Sequence, residues 1–137
     1  MCVKPLGPAC AAVLGAALLA ACAAAPAPAD MAAHHHAAGQ ASIRAGMERL
    51  ATAAGCARPA MQVDAAELRE AACRTSRGQY TLLTFATGAG ERAWLDDAEA
   101  YGGSYLVGDR WVVVAAPALL EGVRRQVGGT VEAAHHH

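Results

Sequence analysis

Residues 9–21 form an uncharged apolar run that ends at Cys22, and this run decides how much of the chain is left to fold. A bilayer core needs about 20 consecutive apolar residues, so the run is too short to span one. Behind the positive start at Lys4, it fits the apolar region of a secretory signal, which is cut away from the mature chain. Residues 1–21 are therefore expected to take no part in the fold. Residues 22–41 read as a flexible tether containing Ala, Pro and His, and residues 134–137 as a His-containing tail. About 90 residues, 42–133, remain for one small domain with a single core. That is too little chain for a barrel or a doubly wound dinucleotide fold.

The run closes with Leu19-Ala20-Ala21-Cys22. These four positions resemble the lipobox of bacterial lipoproteins: a leucine, two small residues that let the processing enzyme reach the backbone, and the cysteine whose thiol is acylated. The resemblance implies lipidation at Cys22 and a place on the extracytoplasmic face of the cell membrane, held by the N-terminal lipid. Two or three acyl chains anchor stably where a single chain is marginal. Ala and Pro alternate from 23 to 29, which favours extended, unpacked backbone behind such an anchor.

Five cysteines are present. Cys2 and Cys10 leave with the leader and Cys22 is the acylation site, so Cys56 and Cys73 remain as an even pair. In an exported domain the default is a disulfide. The spacing is not Cys-x-x-Cys and no histidine lies between the two, which argues against a redox pair or a metal site.

Periodicity gives the elements. Ser42 can cap a helix over 43–54 with Ile43, Met47, Leu50, Ala51 and Ala54 on one face. Residues 61–63 suit a short strand. Asp64 and Glu67 resemble a capping box opening a helix through Cys73. Residues 79–86 read as a central strand, and 91–101 as a helix with Trp94, Leu95, Ala98 and Tyr101 inward. Residues 104–107 and 110–115 are strands joined by Gly108-Asp109. Pro117 starts a helix, and 130–132 suit a last strand. The expected fold is thus α+β: a ferredoxin-like β-α-β-β-α-β sheet-and-helix layer, with both helices on one face, preceded by an N-terminal α-β-α extension.

Charge and residue inventory exclude several functions. Alanine supplies 37 residues and inflates the hydrophobic fraction of 55%. The net charge is −1, and the domain has no cationic excess to neutralise a phosphate backbone, so no nucleic-acid partner is expected. All six histidines lie in two triplets, His34, His35 and His36 in the tether and His135, His136 and His137 at the C-terminus. No Ser–His or Cys–His pair can then be preorganised inside the fold, and no enzymatic activity is expected. Asp96, Asp97 and Glu99 read as a solvated helix face. The Gly88-Ala89-Gly90, Gly102-Gly103 and Gly128-Gly129 stretches read as turns and helix stops, with no phosphate-binding fingerprint. Tyr105 and Trp111 on the hairpin could form a peptide or glycan platform with Arg110 if exposed, but packing against a helix is the simpler reading.

The segments Tyr80-Thr-Leu-Leu-Thr-Phe-Ala-Thr87, Trp94-Leu95, Tyr101-Gly-Gly-Ser-Tyr-Leu-Val-Gly-Asp-Arg-Trp111 and Gly128-Gly-Thr-Val131 resemble small actinobacterial lipoproteins of unassigned function. That resemblance implies no catalytic residues. The expectation is a lipid-anchored binding or adaptor domain facing an unknown envelope protein or ligand. The alternative is an envelope metal-binding protein, holding copper or zinc weakly through the six histidines, with Met31 adding a soft thioether. No other cofactor is expected.

Overall fold

The computed structural model describes residues 28–134, with side chains from residue 33 onward except that of His36. The elements follow in the order α1 (Pro28–Ala54), β1 (Ala60–Asp64), β2 (Leu68–Thr75), β3 (Gly78–Phe85), α2 (Gly88–Glu99), β4 (Ser104–Gly108), β5 (Trp111–Val114), α3 (Pro117–Val127) and β6 (Thr130–Ala133). The fold is mixed α+β: one six-stranded sheet, antiparallel throughout, flanked by helices. Among the described residues no helix is long and apolar enough to cross a membrane.

Helix α1 is longer than expected. It begins at Pro28, inside the segment read as a flexible tether, and not at Ser42. Alanine has the highest helix propensity of any residue, and proline is tolerated in a first turn, so the Ala-rich stretch continues the helix instead of leaving it extended. The buried face is the expected one: Ile43, Met47, Leu50, Ala51 and Ala54. Gly55 adopts φ 71° to end the helix, and the Cys56 amide donates to the Ala51 carbonyl at 2.8 Å. Two side chains take further carbonyls of the last turn. Arg77 donates to Ala54 at 3.5 Å, and Gln126 of α3 donates to Ala53 at 3.0 Å.

The second expected helix is a strand. Residues 68–75 form β2, paired with β1 on one side and with β3 on the other. Their Ala and Glu content favours a helix locally, but strand pairing on both sides overrides propensity. Ala71 and Cys73 alternate into the core under α1, where small side chains fit. Asp64 does not cap a helix; it receives both guanidinium contacts of Arg69, at 2.8 and 3.1 Å.

The β-α-β-β-α-β order from β3 to β6 is present, but its arrangement departs from a ferredoxin-like sheet. There the last strand would lie beside the first. Here the strand order is β1-β2-β3-β5-β4-β6, so β2 fills the place beside β3 and β6 pairs with β4. The two crossovers then step the same way along the sheet from strands that run in opposite directions. With one handedness, their helices fall on opposite faces. The cores agree. Leu120 and Val123 of α3 join α1, Leu82, Leu106 and Val113 on one face, while Leu95 of α2 joins Leu83, Phe85, Tyr105 and Val112 on the other.

Helix α2 is capped by Thr87, whose hydroxyl accepts the Gly90 amide at 3.0 Å. It stops before Tyr101, which is 91% exposed and not inward as expected. Tyr105 takes over the helix end: its buried hydroxyl lies 2.9 Å from the Ala98 carbonyl and 2.6 Å from that of Gly102, positioned to donate to either. Trp94 packs between Phe85 and Tyr105, with ring centroids 6.0 and 6.2 Å away.

Cys56 and Cys73 are bonded, with Cα atoms 5.8 Å apart, and tie the end of α1 to β2. The bridge closes a loop across 17 positions. Removing such a loop constraint costs about 3 kcal/mol. The double variant Cys56→Ala/Cys73→Ala is therefore expected to lose that much in denaturant unfolding, and reduction of the parent should reproduce the loss.

Candidate functional site

Helix α1 comes close to β3 at Gly46, where an added Cβ would meet the Thr84 methyl at 3.3 Å. A glycine inside a helix costs about 1 kcal/mol relative to alanine. Its missing side chain lets the helix approach the sheet, and a cleft of about 450 Å³ lies beside the contact. One wall is a helical face carrying Ser42, Ile43, Gly46 and Arg49, spaced at three and four. The other wall is the end of β3, with Thr84 and Phe85, and the β4–β5 hairpin tip, with Asp109, Arg110 and Trp111.

The tip is strained. Gly108 pairs with Trp111, so the two-residue loop is Asp109-Arg110, one position later than expected. Arg110 has φ 61°, the one positive value among the described non-glycine residues. Left-handed backbone costs an L-residue with a side chain about 1–2 kcal/mol. Two contacts hold it there. The Arg110 carbonyl accepts the Phe85 amide at 2.9 Å, and the Trp111 indole covers Gly108 so closely that any Cβ on Gly108 would collide with the ring. The Arg110 guanidinium lies 3.9 Å from the carboxylate of Asp109, whose side chain is 90% exposed. Arg49 is exposed and forms no ion pair among the described residues.

Two buried polar groups border this region. Thr84, 2% exposed, has no hydrogen-bond partner for its Oγ1. On the far side of the hairpin, Glu91 in the first turn of α2 is 7% exposed and its Oε2 is likewise unpartnered. Burial pushes the Glu91 carboxyl above its ordinary 4.5. The backbone amide of Trp111 and the charge of Arg92 oppose the shift, Asp109 adds to it, and the Arg110 amide opposes it. A smaller recess of about 190 Å³ lies next to the cleft and shares Ile43, but its Asp64 and Arg69 satisfy each other.

The other residues singled out in the sequence fall as follows. Cys22 and the 135–137 triplet lie outside the described residues. His34 and His35 are exposed on α1, where consecutive side chains project in different directions instead of converging. Among the described residues there is no group of three or more His, Cys, Asp or Glu side chains able to hold a metal ion. Asp96 and Asp97 are exposed on α2. Tyr105 and Trp111 are both buried, on opposite faces of the sheet, so they form no exposed platform.

Sequence reasoning missed Arg49, Thr84 and Glu91, and placed Arg110 in a strand. The available signals were Gly46 inside an otherwise strong helix and a bulky arginine at a hairpin turn. Comparison with protein-family models, with curated proteins and with solved structures yields no match, so the cleft is read from its own chemistry.

Two variants test the buried groups. Thr84→Val keeps the shape and removes an unsatisfied hydroxyl; it is expected to raise unfolding stability by about 1 kcal/mol. A loss in urea titration would mean that the hydroxyl has a partner in solution. For Glu91 the folded pKa lies above the unfolded one. Its favourable contribution is complete below the ordinary carboxylate value and is lost as pH rises through the folded value. Glu91→Gln should therefore melt above the parent at neutral pH, and the gap should close toward about pH 4.

Proposed function

We propose that this chain is a lipid-anchored extracytoplasmic protein whose small α+β domain binds a ligand or partner at the envelope surface without transforming it. The observation that carries the reading is Leu19-Ala20-Ala21-Cys22 at the end of an apolar run too short to span a bilayer. The Cys56–Cys73 bond supports it, because such bonds persist in oxidising compartments. The cleft adds support of a different kind. Its guanidinium groups and hydroxyls are groups that hold and orient a bound molecule.

Cys22→Ala is expected to move the protein from the membrane fraction to the soluble one, or to leave an unprocessed precursor, with the lipid mass absent in either case. Normal processing together with unchanged membrane retention would overturn the proposal.

A further inference from the structure

We infer that the cleft between α1 and the β4–β5 hairpin binds a small organic carboxylate, its head held between Arg49 and Arg110 and its apolar body against Ile43 and Trp111. This rests on the reading of the domain as a binding module and names what that module takes.

Size comes first. About 450 Å³ falls in the range of small-molecule sites, which run from about 300 to 1,000 Å³. Its walls are about half polar: two guanidinium groups, a carboxylate and two hydroxyl side chains stand among apolar ones.

The charges give the ligand its sign. Each guanidinium carries five N–H donors and no acceptor. Arg49 has no ion-pair partner among the described residues. The 3.9 Å between Arg110 and Asp109 exceeds hydrogen-bond range, so its donors also remain available. Two arginines and one aspartate line the cleft, for a net formal charge of one positive unit. That balance suits a monoanion better than a dianion. A carboxylate also has the planar pair of oxygens that a guanidinium fork engages.

The backbone gives an independent argument. A hairpin loop whose second residue sits at φ 61° is ordinarily filled by glycine or asparagine. Here that position holds arginine, the residue with the longest cationic side chain, at the rim of a cleft. Strain of this kind concentrates at ligand sites. Gly46 stands on the facing wall, where helix stability is given up for the close approach of α1 to Thr84.

The test is calorimetric titration of the full chain in detergent with benzoate, with neutral benzamide and with inorganic phosphate, followed by the same titrations of Arg49→Gln and Arg110→Gly. Benzoate is expected to bind at least about tenfold more tightly than either other probe, and each variant to lose about tenfold or more in benzoate affinity. Arg110→Gly should melt above the parent while it loses benzoate, which separates a ligand contact from a structural role. Equal affinity for benzamide would overturn the charge assignment and leave a binding module standing. Phosphate binding as tight as benzoate would overturn the carboxylate assignment. Undetectable benzoate binding at millimolar concentration, or undiminished binding by both variants, would overturn the inference outright. The anchored location is judged separately by the fractionation of Cys22→Ala.

Discussion

The pairing of β2 with β3 governs the rest of the molecule. It runs without interruption from Leu68 opposite Phe85 to Thr75 opposite Gly78. Once that edge of β3 is closed, the last strand has no place beside it and must pair with β4. The two crossovers then advance in one direction from antiparallel strands, and right-handed connection separates α2 from α3. The face that receives α3 also receives α1, over the small side chains of Ala71 and Cys73. Layer order, helix placement and the position of the cleft all follow from one strand taking one edge.

The two ends of α1 differ in character. Near Ala54 the helix is fastened by the disulfide, by Arg77 and Gln126 on its last carbonyls, and by Gly55 in a left-handed conformation. Near Gly46 there is a helical glycine, a buried hydroxyl without a partner, a non-glycine residue at positive φ and, just behind the hairpin, a buried carboxyl. Unfavourable features gathered at one place in an otherwise consistent fold are the usual mark of a site retained for something other than stability. The fastened end lets the other end bear them.

Much of the fold could be read from residue order because the signals were local. Helical spacing marked the buried face of α1, Pro117 and Gly128 bracketed α3, and the apolar run 79–86 marked a central strand. Two errors share one cause. The stretch 68–75 has helical propensity, and strand order depends on which edge is free; each was decided by what the segment meets elsewhere in the chain. The third was local: the Ala-rich stretch 28–41 was read as extended although alanine favours a helix. The cysteine bond was legible because an even pair remains once the cysteines read as leader and acylation site are set aside. The cleft was not. It is assembled from α1, β3 and the hairpin, and its informative residues are ordinary in sequence: an arginine in a loop, a threonine in a strand, a glycine in a helix.

The reach of α1 has one more consequence. At 1.5 Å per residue its 27 residues measure about 40 Å, and among its described side chains burial begins at Ile43, about halfway along. Ser42 and Arg49 stand on that same rod. In a chain fixed at its amino end, the rod would pass on angular phase as well as distance: adding a single residue within 28–41 would swing the cleft mouth by about 100° about the helix axis.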